Sequence, residues 1–169
     1  MAITSQEEFF LNAYYVLDLN ALELQRTREE RAKEHNLKNP EKNVQEIGYP
    51  TDLQTGVADF VCLAFAVELY LKAVFEVLGK KQRGHNIRKI FEKLPEEAQQ
   101  EIFNIHMKNV HQATLEHYKE RMDVISDGFE KFRYSHEHQS LTYHKRFALE
   151  MINAMKEFIT NTRQSKQLS

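Results

Sequence analysis

The stretch Thr55–Leu78, TGVADFVCLAFAVELYLKAVFEVL, decides the fold. Val57, Phe60, Val61, Leu63, Ala64, Phe65, Val67, Leu69, Leu71, Val74, Phe75, Val77 and Leu78 leave hardly any face of a helix polar. A helix that is apolar all round is packed on several sides, so this one belongs at the centre of a helical bundle. Its polar exceptions, Glu68, Lys72 and Glu76, recur at i,i+4 and share one stripe. Glu68 and Lys72 fit either a cleft lined by the pair or a single exposed stripe. Gly79 follows as a left-handed helix end.

Helical signals continue on both sides. Ser5 and Glu8 have capping-box spacing and open a first helix through Phe9, Phe10, Ala13, Val16 and Leu17. That helix passes Leu24 into mixed charge as far as His35, and its end beyond Glu23 is expected to project or fray. Residues 36–55 hold Pro40, Gly48 and Pro50 and read as a long connection. Gly84 to Leu94 is a short helix with Ile87, Ile90, Phe91 and Leu94 on one side. Pro95 opens the next, which carries Ile102, Phe103, Ile105, Val110, Leu115 and Tyr118 toward Phe132, with Gly128 a break point. The last helix repeats cleanly at Phe147, Ala148, Met151, Ile152, Met155, Phe158 and Ile159. The expectation is an all-α, up-and-down bundle of about five helices.

The bulk numbers fit one domain over 1–169, with its core in 5–160 and a polar tail at 161–169. Lys and Arg number 23 against 25 Asp and Glu, so polyanion binding has to come from a local patch. The single cysteine, Cys62, rules out an intrachain disulfide and reads as a small buried hydrophobe. Met1–Glu8 lacks the basic region of a secretory signal. No run of about 18 apolar residues offers a membrane span, so a cytoplasmic protein without membrane contact is expected.

Among possible chemistries, metal ligation is poorly served. No histidine has a glutamate three residues before it, and His-Glu-x-x-His is absent. His106, His111 and His117 are spaced by five and six, so only His106 and His117 share a helix face. The segment Gly79–Asn86 has the glycine spacing of a phosphate loop. It carries His85 and Asn86 where lysine and a hydroxyl are required, and it follows a helix. Neither metal nor cofactor is expected.

Two sets of residues invite a polyanion. Lys80, Lys81, Arg83, Arg88, Lys89 and Lys93 cluster with His85, Glu92 being the only acid among them. They fit a nucleic-acid surface, and equally a solubilising rim where cations suit a helix C-terminus. In FEKFRYSHEH (Phe129–His138), Arg133 offers a forked phosphate-shaped cation, and His138 can move a proton near neutral pH, with His136 as an auxiliary. Arg133 and Glu137 also fit a plain i,i+4 ion pair.

FAVELYLKA (Phe65–Ala73), GHNIRKIF (Gly84–Phe91) and FEKFRYSHE (Phe129–Glu137) occur in this order, and the ordered set resembles the HEPN superfamily of nucleotide-binding helical domains, in its small stand-alone bacterial type. The resemblance spans about 55–159. It implies a bundle that usually forms homodimers, and many such proteins are metal-independent endoribonucleases in toxin–antitoxin or phage-defence systems. Their signature is Arg, four to six residues, then His, contributed by both protomers to one cleft. Arg133 and His138 match the four-residue form. Tyr134 stands where active members often carry a small polar residue, and other members are binding modules. Two functions follow from the resemblance. One is a nucleotide-, RNA- or partner-binding module, with an antitoxin-like protein among the possible partners and Glu68, Lys72, Tyr134 and Glu137 shaping its cleft. The other is a metal-independent endoribonuclease in which Arg133 holds phosphate and His138 transfers a proton.

Overall fold

The computed structural model describes residues 5–49, 58–108, 114–133 and 144–168, with 127–133 as backbone alone. These residues form six helices and no strand: α1 (Gln6–Lys38), α2 (Ala58–Val77), α3 (Ile87–Phe91), α4 (Glu96–Met107), α5 (Leu115–Arg133) and α6 (Lys145–Gln167).

α2 is the central helix. Leu63, Ala66, Val67, Leu71 and Val74 are wholly shielded from water. They share one core cluster with Leu11 and Tyr14 of α1, Ile87, Ile90 and Phe91 of α3, Ile102 of α4, Tyr118, Met122 and Ile125 of α5, and Met151, Ile152 and Met155 of α6. Cys62 packs against this cluster only partly buried. Burial pushes its thiol up from its ordinary range, away from the reactive thiolate.

Polar ties set the directions of the helices. Lys145, the first residue of α6, reaches Asp18 of α1 at 2.5 Å and Asp59 of α2 at 2.8 Å. At the other end of α2, Lys166 donates to the Val77 carbonyl at 2.6 Å. α6 therefore runs parallel to α2. Glu8 of α1 accepts from Tyr70, midway along α2, and from Lys156 at 2.8 Å, so α1 runs antiparallel to both. Burial lowers the pKa of Lys145, but Asp18 and Asp59 outweigh it and hold the ammonium above its ordinary value.

Several local expectations change. α1 does not fray after Glu23; it continues to Lys38, supported by the pairs Arg26–Glu30 and Gln25–Glu29. Ser5 does cap it by position, but no side-chain capping bond is made. The connection beyond it folds back along the helix, with Ile47 donating to the Arg28 carbonyl and Asn36 bonded through its side chain to Val44 on both backbone groups. The run from Pro95 to Phe132 is two helices, which brings the count to six. The second of them passes through Gly128 without a break, because one glycine weakens a helix by only about 1 kcal/mol and neighbouring packing can absorb that. The polar tail is helical to Gln167, where Lys166 ties it to α2. No helix among the described residues is long and apolar enough to cross a membrane.

Candidate functional site

The site forms where α2 ends and α3 begins. Gly79 takes φ 75°, which lets its N–H reach the Glu76 carbonyl at 2.9 Å and the Lys80 N–H reach the Phe75 carbonyl at 2.8 Å. This double bond satisfies the last carbonyls of α2 and turns the chain sharply aside. The loop then runs back through Gly84, whose φ of 111° lies where other residues are strained. It closes on α3, where the Asn86 side chain accepts the Lys89 N–H at 2.8 Å. The Ile87 N–H donates to Ser126 Oγ of α5 at 3.0 Å. Residues 80–86 are thus held at both ends.

Glu68 lies beneath this loop. It is 6 % exposed, so it belongs to the interior of α2 and not to the open stripe its spacing allowed. Lys72 Nζ donates to its Oε1 at 2.6 Å. His85 Nδ1 lies 3.1 Å from the same oxygen and 3.3 Å from Oε2. A carboxylate can only accept, so Nδ1 carries the proton in this contact. Glu68, Lys72 and His85, separate in the sequence, therefore make one polar unit.

The basic cluster divides in two. Lys80, Lys81 and Arg83 share the loop with His85, Lys89 follows in α3, and all four are exposed. Arg88 is already partnered: it donates to Glu92 at 2.9 Å, Asp123 at 2.8 Å and Glu116 at 2.7 Å. Glu92 first, and then Asp123, hold its guanidinium above its already high ordinary pKa. Arg88 is a clasp between α3 and α5, a set of partners that spacing alone does not reveal.

Arg133 is the last residue of α5, two turns or about 10 Å along the helix from Ser126. It stands on a helix and not in a turn. Tyr134, His136, Glu137 and His138 lie outside the described residues.

The described histidines do not assemble. His106 is buried in α4 with its ring 4.8 Å from Tyr118 and 5.5 Å from Phe147, and burial lowers its pKa. His117 is exposed on α5 beside Glu120 at 3.4 Å. The two do not share a face, because α4 stops at Met107. Among the described residues no three His, Cys, Asp or Glu side chains are grouped to hold a metal ion.

Two features escape a reading of the sequence: Ser126, which fixes the start of α3, and the Asp18–Lys145–Asp59 tie. Asn86 is legible as an N-cap, since Asn before an apolar run is a strong start signal. Nothing local marks a lysine that bridges helices 127 residues apart.

The family model for the HEPN domain matches residues 51–165. The chain belongs to the HEPN family. No curated protein and no solved structure matches it. The HEPN match takes in α2 with Glu68 and Lys72, the pinned loop, and α5 with Arg133. It leaves α1 outside, although α1 completes the core through Leu11 and Tyr14. Membership makes the chain a helical module of a broadly nucleotide- and RNA-related kind.

Proposed function

We propose that this HEPN chain is an RNA- or nucleotide-binding module of a bacterial toxin–antitoxin or defence system, and that it binds through the loop between α2 and α3. The observation that carries this reading is the pinned loop itself. Lys80, Lys81 and Arg83 project from a backbone held at Gly79 and at Asn86, with Lys89 and His85 beside them. Cations on a loop already held at both ends lose less backbone entropy when phosphate arrives, which favours binding. Arginine adds a fork that can take two phosphate oxygens.

The test is fluorescence anisotropy with single-stranded RNA over a salt series. Binding should weaken as salt rises, because phosphate contacts release counterions. The triple variant K80A/K81A/R83A should flatten the log–log salt slope by about 2, since each phosphate neutralised on a single strand adds about 0.7. An unchanged slope moves the surface elsewhere.

A homodimer is part of this reading. Phe9, Tyr15, Val16, Leu19 and Leu22 of α1 are 46–66 % exposed and lie on its outward side. At roughly 100 Å² each, they leave several hundred Å² of apolar surface, the upper end of what a lone chain presents. A second copy of α1 would cover it. An antitoxin-like protein is the other partner this reading admits.

The second reading is a metal-independent endoribonuclease using Arg133 and His138 across the dimer. It is favoured by α5 running unbroken through Gly128, so that Arg133 leaves from a helix end. Cleavage of mixed RNA in chelator by wild type, abolished in His138→Ala and reduced less in His136→Ala, would establish it. Arg133→Ala should weaken both binding and rate.

A further inference from the structure

The two ends of α4 are held by different kinds of contact. At its start, buried Gln99 donates to the Leu94 carbonyl at 2.8 Å and to the Glu92 carbonyl at 3.2 Å, which ties the first turns to the chain leaving α3. Near its end the anchor is His106, one residue before the helix stops. His106 is 4 % exposed. Its ring is tilted at 56° to Tyr118 of α5 and stands at 76° to Phe147 of α6. Nδ1 is buried without a hydrogen-bond partner among the described residues, and so is the Tyr118 hydroxyl. An imidazolium needs an acceptor at each nitrogen, and this site offers Nδ1 none. The pair Lys108–Glu157, at 2.7 Å, also joins this end of α4 to α6, but it is exposed, and exposed pairs contribute little.

The surrounding charges leave the neutral ring favoured. From α5, Arg121 opposes an imidazolium, with its guanidinium 5.8 Å over the Phe147 ring. From α6, Glu150 would favour one, but its carboxylate already accepts from Arg146 at 2.8 Å. Burial is the largest influence and outweighs Glu150, so His106 titrates below its ordinary 6.5.

We propose that His106 is a proton-operated latch on the C-terminal turns of α4. Neutral, it seats against Tyr118 and Phe147. Protonated, it leaves them, and the end of α4 swings away from α5 and α6 about its Gln99 anchor. The latch goes beyond the RNA-binding reading and does not depend on it. An opened imidazole takes up a proton near 6.5, whereas the closed one does so only at lower pH. The closed form is therefore fully favoured above pH 6.5, and each pH unit below that favours opening by up to about tenfold until the closed ring itself titrates. Opening uncovers the rings of Tyr118 and Phe147, an apolar surface that mild acid alone would present.

The experiment is amide hydrogen exchange on the full chain at pH 7.5 and pH 5.5, corrected for the intrinsic pH dependence of exchange. Protection in the last turns of α4 should fall severalfold, up to about tenfold, at the lower pH, while that of α1 and α2 holds. Binding of a dye that reports exposed apolar surface should rise over the same range. In His106→Phe, which keeps a ring that cannot titrate, both changes should vanish. His106→Leu is the second variant should the larger ring overfill the site. His117→Gln, at an exposed position on α5, should behave as wild type. Glu150→Gln should enlarge the loss, because it removes the charge that favours an imidazolium in the closed form. Equal protection at both pH values in wild type overturns the latch. So does a loss that persists in either His106 variant, or one spread evenly over α2, which would be unfolding of the whole chain. If neither variant folds, proton NMR of His106 in wild type decides. A midpoint below 6.5 supports the latch, and one at or above 6.5 overturns it.

Discussion

α2 and α1 use their lengths in opposite ways. α2 has 20 residues and hides most of them, including the charged Asp59 and Glu68. α1 has 33 residues, buries only Leu11, Tyr14 and Ala32, and shows Phe9, Tyr15, Val16, Leu19, Leu22 and Leu37 to water. The difference teaches where the constraints lie. Inside α2, a charge has to be matched by position, and Glu68 with Lys72 and His85 is the result. On α1, local ion pairs and a returning loop keep the helix regular, and an apolar stripe stays exposed.

The largest effect expected from this contrast is in the core. Leu71→Ala should destabilise by about 2–5 kcal/mol in denaturant unfolding, through reduced burial and the cavity left behind. A change below about 1 kcal/mol would put α2 at the periphery and break the comparison.

Removing one partner of the buried charge should come next. Lys72→Met leaves Glu68 with His85 alone and should lower stability by about 2 kcal/mol, below the range for a fully buried pair because Lys72 is itself a quarter exposed. A neutral result would mean that water already serves Glu68.

The seam between the two helices should respond less, and in a pH-dependent way. Lys156 first, and then Tyr70, hold the Glu8 carboxyl below its ordinary value of 4.5. A depressed carboxyl pKa contributes stability that is complete above 4.5 and is lost as pH falls through the lower folded value. Glu8 is more than a third exposed, so Glu8→Gln should remove less than about 1 kcal/mol at neutral pH. Melting curves between pH 7 and pH 3 should show the variant and wild type converging toward acid. Parallel curves would place the interaction elsewhere.

The smallest effect on folding should come from the open face of α1. Leu19→Asp should change protomer stability by no more than about 0.5 kcal/mol, as exposed substitutions do. In sedimentation at micromolar concentration it should convert a dimer to a monomer. A wild-type monomer there, or a variant that stays dimeric, removes α1 from the contact.

Periodicity and end signals made most of this fold legible. The all-apolar run of α2, the glycine at its end, the proline before α4 and the regular stripe of α6 each announced an element, because local sterics and burial on one face are written in spacing. The HEPN resemblance was equally a matter of ordered local motifs. Boundaries set by neighbours were not legible. α1 holds to Lys38 through i,i+4 pairs and the loop that folds back on it, and α5 crosses Gly128, where glycine alone does not fix a helix end.

For the site, the sequence alone determined which residue types stand near one another along the chain: the cations at 80–89 with His85, and Arg133 separated from His138 by four residues. Only the tertiary structure decided which of them can meet a ligand. It spent Arg88 on three acids of α5 and the end of α3, buried Glu68, and brought His85 back across 17 positions to the same carboxylate as Lys72. The physical reason is that a charge takes its role from its burial and its partners, and both are set by packing between helices whose order in the chain says nothing of their distance in space.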